Sequence, residues 1–275
     1  SYFCFPCLIN YQPAMTFGTA LKLMKYLLFS RHGKGHGIHS PFVFRVVKDV
    51  FRNKTVTQVV LTIEQIRKKN RSDSRTIDVL DLGAGSSKMK SNRRKVSDIA
   101  KYSPVPRKYG ILLASMAGEF GPPAILELGT SLGISTLYLA SGCPDSVVYT
   151  MEGCPQTSKI ALENFSLSGF ENIKLLTGSF DESLGIIRGT ITPGLVFIDG
   201  DHRKESLLKY FNALTEISTP ETVIMIDDIH SSQEMGEAWQ IIKDHKKVSI
   251  TIDIFRMGMV FFREGMSHTN YIIRY

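Results

Sequence analysis

The chain has 275 residues, 43% of them hydrophobic and 21% charged, enough to bury a substantial core as one domain with an extension or as two small ones. Its 4 cysteines are too few for a secreted disulfide framework, and no basic run leads into an apolar stretch with a small-residue cleavage site, so the composition argues for a cytoplasmic protein. The formal charge of +7 conceals an asymmetry, because residues 1–110 hold 21 Lys and Arg against 6 Asp and Glu while residues 111–275 hold 12 against 20.

Residues 1–14 read as a leader or a start-site artefact, and their Cys4 and Cys7 lack the preceding strand or second pair that a redox or zinc site needs. Met15 opens a more orderly stretch, and residues 16–70 read as three helices. The first, FGTALKLMKYLLF, is interrupted by Lys22 and Lys25 and is too short to span a bilayer. A Gly-rich turn then carries His32, His36 and His39, which without Cys or carboxylate neighbours reads as a loop more than a metal site. Ser40-Pro41 supplies a cap and a first-turn proline for the next helix. The segment IDVLDLGAGSS (77–87) has a tight glycine turn at Gly83 and Gly85, but KMKSNRRKVSD follows where a buried apolar helix should begin. It reads as a decoy for a cofactor loop, with Arg93, Arg94 and Ser97 placed to close over an active site. The basic region (1–110) leaves nucleic acid open as a partner, although a solvated face, or docking onto the chain's own acidic half, is the simpler reading.

The most informative segment is PPAILELGTSLGISTLYLA (Pro122 to Ala140), an apolar strand that runs through an acid and a small-residue turn into an apolar helix. Gly129 and Gly133 permit a tight turn and close approach of a ligand to the backbone. The next apolar run, VVYTMEG, ends at Glu152, 23 residues after Gly129, where a carboxylate accepts hydrogen bonds from ribose hydroxyls. The loop lacks the G-x-G-x-x-G pyrophosphate pattern, so a phosphate-free nucleoside such as S-adenosylmethionine fits better than a dinucleotide. Further runs end at Gly178-Ser179-Phe180, at Asp199 and at Asp227-Asp228, with helical stretches between them. This alternation predicts an α/β fold with a doubly wound, mostly parallel sheet. VSITIDIF and GMVFFR are separated only by Arg256 and Met257, so they should form an antiparallel hairpin that completes seven strands with an antiparallel edge. The predicted catalytic domain is 111–275, preceded by a basic, mainly helical region.

Here the chain resembles the Rossmann-like S-adenosylmethionine-dependent methyltransferases, and among them the small-molecule O-methyltransferases of the catechol and the sugar and macrolide types. The resemblance runs from about Lys108 to Arg263, through KYGILLASMAG, ILELGTSLGISTLYLA, TMEGCP, LLTGSFDESL, VFIDGDHRKE and IDDIHSSQEMGEAW. It implies that Glu127, Gly129, Thr130, Ser131 and Gly133 wrap the methionine part of the cofactor, that Glu152 with Gly153 meets the ribose, and that Gly178, Ser179 and Phe180 meet the adenine. It also implies a small-molecule acceptor, and relatives of unassigned substrate share a stretch similar to HGIHSPF. Homo-oligomerisation is left open.

Methyl transfer to oxygen is an in-line displacement that needs an aligned acceptor and a route for its proton. Asp199, Asp227 and Asp228 are expected to converge at adjacent strand ends, where three acids repel unless a cation or protons intervene. A divalent ion such as magnesium is the sharper explanation, and the resemblance supports it; the alternative is that Asp199 orients loops while Asp227 or Asp228 caps a helix. His202 is the first candidate for general base, a role the resemblance also implies, and His230 is the second. Two other readings stay open. Gly129 to Gly133 also matches the G-x-S-x-G elbow of a serine hydrolase, with Ser131 as nucleophile and His230 or His268 as base. A non-catalytic nucleoside-binding protein is the other.

Overall fold

The apolar runs of the second half become strands because a parallel sheet covered by helices buries them on both faces. The computed structural model describes residues 23–24, 26–30, 38–53, 56–80 and 92–275. Helix α1 (Pro41–Arg45) continues as a π-helical turn over Val46–Val50 and is followed by α2 (Gln58–Arg71). Ser40 caps α1 as expected, its hydroxyl accepting the Val43 N–H at 3.4 Å. Strands β1 (Thr76–Asp78) and β2 (Arg93–Lys95) form a separate antiparallel pair, after which come α3 (Val96–Tyr102) and α4 (Arg107–Phe120).

The main sheet begins with β3 (Ala124–Leu128), β4 (Val147–Glu152) and β5 (Ile173–Thr177), linked by α5 (Ile134–Gly142) and α6 (Pro155–Ser168). Helix α7 (Phe180–Ile187) leads to β6 (Leu195–Ile198), α8 (Lys204–Ile217) to β7 (Val223–Ile226), and α9 (Gln233–Lys243) to β8 (Ile250–Asp253), β9 (Gly258–Phe261) and β10 (Thr269–Ile272). The spatial order is β10-β8-β9-β7-β6-β3-β4-β5. All seven expected strands are present, and β8 and β9 pair as the expected hairpin. Two details differ. An eighth strand, β10, pairs parallel with β8 and takes the edge, and the antiparallel strand β9 lies inside the sheet between β7 and β8.

Side chains alternate across the strands, so Ile125 and Phe197 face one core while Leu126 and Val196 face another. The first core is covered by α1, α2, α4 and α5 through residues such as Val43, Ile63, Leu112 and Leu137. The second is covered by α8 and α9 through Leu207, Phe211, Met235 and Trp239. The N-terminal helices therefore share a core with the sheet. Basic side chains of the first half meet acids of the second: Arg45 pairs with Glu119, and Arg75 reaches Glu163 at 2.7 Å as well as its neighbour Asp73. No helix among the described residues is long and apolar enough to cross a membrane.

The described part of the glycine segment lies outside the main sheet. Ile77 packs with Val96, Ile99, Ala100, Leu132 and Ile160 in a small cluster against the cofactor-loop side of the sheet. Gly83, Gly85, Cys4, Cys7, Lys22, Lys25, His32 and His36 fall outside the described residues, whereas His39 is exposed.

Candidate active site

Parallel strands end together, so the residues just beyond them form one edge. The Gly178 N–H donates to the Glu152 carbonyl at 2.9 Å, the Gly129 and Thr130 N–H groups both donate to Met151 at 3.1 Å, Asp199 donates to Leu128 at 2.9 Å, and Asp227 donates to Ile198 at 2.9 Å. These bonds set Gly178, Glu152, Gly129, Asp199 and Asp227 in a row across five strands, about 19 Å long at roughly 4.8 Å per strand. From β3 the chain winds to β4 and β5 on one side and later to β6 and β7 on the other. The crevice between β3 and β6 is therefore the switch point where ligands of such sheets bind.

The loop after β3 is fixed by its own backbone geometry. Gly129 has φ +109°, and a Cβ there would lie 2.5 Å from the Asp199 carbonyl oxygen; Gly133 has φ +81°, and a Cβ there would lie 2.4 Å from the Phe165 ring. Both glycines are thus demanded by the protein's own packing, where the sequence suggested room for a ligand. Asn164 of α6 donates to the Leu132 carbonyl at 2.9 Å and holds the loop from behind. Ser131 sits at φ 49°, a conformation costly for a residue with a side chain, and its N–H donates to Glu152 Oε2 at 2.8 Å. The Cys154 N–H donates to the other carboxylate oxygen, Oε1, at 2.9 Å, with Gly153 between them in the turn. The Glu152 carboxylate is therefore oriented at the end of β4 by two backbone amides.

Glu127 is fully buried, and its Oε2 accepts from the hydroxyls of Thr136 and Thr150. Its Oε1 makes no hydrogen bond among the described residues. Burial raises its pKa to about 7 against the pull of the surrounding hydroxyls. Thr130 extends this network through a 2.6 Å contact between its hydroxyl and that of Thr150. At the end of β5, Ser179 forms a capping box with Glu182 at the start of α7. The Phe180 ring lies against Gly200, where a Cβ would approach to 2.6 Å, and meets Tyr210 edge-on at 5.4 Å.

The acids at the other end of the row have a protein cation. Asp227 is fully buried, and Arg256 grips its carboxylate through Nε at 2.8 Å and through Nη2 on the second oxygen. The same Nη2 lies 3.7 Å from Asp228, and the guanidinium sits 5.5 Å from the centre of the Tyr109 ring. Arg256 reaches this place because it occupies the tight turn between β8 and β9, whose register sets Gly258 level with Ile226. Burial pushes the Asp199 carboxyl well above the ordinary carboxylate range, and the charges of Asp227 and Asp228 push it further. Among the described residues no group of three His, Cys, Asp or Glu side chains is arranged to hold a metal ion. Asp199, Asp227 and Asp228 do not fit a divalent ion, because the guanidinium already neutralises the buried carboxylate that would anchor it.

His202 Nε2 lies 3.6 Å from Asp199 Oδ1, beyond hydrogen-bond length but close enough for electrostatic contact, and the imidazole is about one-third exposed at 36%. His230 is engaged elsewhere: its Nε2 meets Asp253 Oδ2 at 2.8 Å, the oxygen that also accepts the Trp239 indole N–H at 3.2 Å. The Ser131 hydroxyl donates to Ser103 at 3.2 Å, and His268 bonds the Val248 carbonyl at 3.0 Å, so the hydrolase arrangement of serine and histidine is not assembled. Arg256, Tyr109, Asn164 and the threonine pair around Glu127 are the site residues that sequence reasoning missed. Alternation along β4 puts Thr150 on one face with Glu152, a signal that was present, whereas Arg256 read only as part of a hairpin link.

A mostly parallel sheet with helices on both faces and an inserted antiparallel strand is a Rossmann-like α/β fold. A family model described as a methyltransferase domain matches residues 126–229, the span from β3 through the Asp227 loop. The chain is similar to O-methyltransferase imqG of Aspergillus flavus, 27% identical over 146 residues that make up 50% of this chain and 57% of that protein. The chain thus spans little more than half the length of that curated relative. Among solved structures it resembles an O-methyltransferase from Bacillus cereus in complex with SAH (21% identity, TM-score 0.54, 80% of this chain and 97% of that one). It also resembles the SAH-bound methyltransferase PaMTH1 of Podospora anserina (15% identity, TM-score 0.58, 82% and 97%). A third is the O-methyltransferase TomG of Streptomyces achromogenes, involved in tomaymycin synthesis and crystallised with SAM (17% identity, TM-score 0.54, 80% and 95%).

Proposed function

We propose that the protein is an S-adenosylmethionine-dependent O-methyltransferase acting on a hydroxylated small molecule or sugar. The observation that carries this reading is the Glu152 carboxylate, oriented by the Ser131 and Cys154 amides beside the switch-point crevice. A carboxylate so placed suits the paired hydroxyls of a ribose. Glu127, the Gly129 to Gly133 loop and the Phe180 ring would flank the rest of the nucleoside. The likeness to O-methyltransferases of Aspergillus flavus and Bacillus cereus supports methyl transfer to oxygen. Buried, unpaired Cys143 and Cys154 suit a reducing, cytoplasmic location.

When bound, S-adenosylmethionine supplies an electrophilic methyl group on a sulfonium, which leaves as a neutral thioether. The acceptor hydroxyl must therefore give up its proton as its oxygen takes the methyl carbon. His202 is assigned as the base that takes it, since its partly exposed imidazole can pass the proton on to water. Asp199 Oδ1 lies 3.6 Å from that imidazole and can help to orient it.

The test is transfer of isotope-labelled methyl groups from S-adenosylmethionine to a panel of hydroxylated aromatics and sugars. A labelled ether product is expected from at least one acceptor, with His202→Ala lowering turnover by about 10²- to 10⁴-fold. The loss should shrink as pH rises toward the acceptor's own pKa. Labelling of Ser131 by a fluorophosphonate, abolished in Ser131→Ala, would instead support the hydrolase reading.

A further inference from the structure

We propose that Arg256 stands where a metal-dependent relative would hold its divalent ion, so that this acceptor site works without one. The inference rests on the strand ends being the methyl-acceptor site, and it concerns charge rather than cofactor. Three acids arrive together there because β6 and β7 are adjacent and parallel. A positive charge must accompany them, since Asp227 is fully buried and an unpaired carboxylate is costly in such a place. The chain supplies that charge itself. Nε and Nη2 of Arg256 take both oxygens of Asp227 in a fork, and Nη2 extends toward Asp228. A planar guanidinium is always charged and matches a carboxylate in this geometry, so it neutralises Asp227 and occupies one side of both its oxygens.

Its location strengthens the assignment. Arg256 lies at the tip of a two-strand turn held by the Ile254 N–H to Met257 carbonyl bond at 3.0 Å, and the neighbouring Ile229 N–H donates to the Arg256 carbonyl at 3.2 Å. The Tyr109 ring closes over the other side of the guanidinium. The side chain is nearly buried, with 9% of its surface exposed, so this is a built-in contact rather than a surface arginine that happens to swing in. A hard divalent ion in such a site would take several oxygen ligands, the acceptor's among them. A site neutralised by Arg256 carries no such demand, and a single hydroxyl in reach of His202 suffices.

Manganese binding read by electron paramagnetic resonance, with S-adenosylhomocysteine present, tests this independently of turnover. The intact protein is expected to leave the free-ion signal unchanged at equimolar manganese. Arg256→Ala is expected to gain one bound ion, and adding Asp228→Asn to it is expected to abolish that gain. One equivalent of manganese bound by the intact protein and lost in Asp228→Asn would overturn the proposal, as would a folded Arg256→Ala that binds none. Should Arg256→Ala fail to fold, the intact protein and Asp228→Asn decide the matter alone. Failure of S-adenosylhomocysteine itself to bind, seen by calorimetry on the same samples, would instead count against the methyltransferase reading and so be distinguished from failure of the metal inference.

Discussion

Single residues in this site are tightly constrained by their neighbours. Gly129 is the clearest case: Gly129→Ala puts a methyl group 2.5 Å from the Asp199 carbonyl at a backbone φ of +109°. It should lower stability by about 1–3 kcal/mol and weaken nucleoside binding by displacing the β3 and β6 ends, which urea unfolding and calorimetry can measure. Glu127 makes a second prediction. Its folded pKa of about 7 lies above the unfolded value of 4.5, so the folded state holds the proton more tightly. Its contribution to stability is then complete below the unfolded value and is lost as pH rises through about 7. Glu127→Gln should flatten this dependence, removing on the order of 3 kcal/mol of pH-linked stability change, as followed by denaturation midpoints between pH 4 and pH 8. Glu127, Glu152, Asp199 and Asp227 were legible in the sequence because acids at the ends of apolar runs are conspicuous. Arg256 was not, because its position in a short link explained it fully until the register of β9 brought it beside Asp227.

At the scale of elements, the site depends on how β8 and β9 return to the sheet. The hairpin was readable from a link too short for a parallel crossover, but its insertion beside β7 was not, since nothing local says which edge a hairpin will join. Strand β10 was missed for a related reason: its four residues alternate between exposed and buried and carry no continuous apolar run. The position of β9 makes the Asp227–Arg256 pair a clamp between β7 and the β8–β9 turn. Arg256→Ala should therefore destabilise the protein by roughly 3–5 kcal/mol at neutral pH, because it leaves a buried carboxylate unpaired. Asp227→Asn combined with Arg256→Met should recover much of that loss by removing both charges, an outcome that a double-mutant cycle in guanidinium chloride would reveal.

Over the whole molecule, the N-terminal region and the sheet behave as one packed body in the described residues. Val43, Val60 and Ile63 belong to the same core as Leu112, Ile125 and Phe197, although composition and charge divide the chain near residue 110. The division was legible and the packing was not, because an asymmetry of charge says nothing about which apolar faces meet. Fluorescence of the single Trp239, on the buried face of α9, and far-ultraviolet circular dichroism should report coincident unfolding transitions. Two separated transitions would show that the basic helical region folds on its own.

On the proposed function, the ends of β3 and β4 bind the nucleoside of S-adenosylmethionine through Glu152. Titration calorimetry with S-adenosylhomocysteine tests it most directly, using the intact protein and Glu152→Gln, with NAD as the competing ligand. Saturable binding at one site is predicted, weakened about 10- to 100-fold in Glu152→Gln by loss of a charged acceptor, with no heat from NAD. Equal affinity in the two proteins, or tight binding of NAD in place of S-adenosylhomocysteine, would contradict the account.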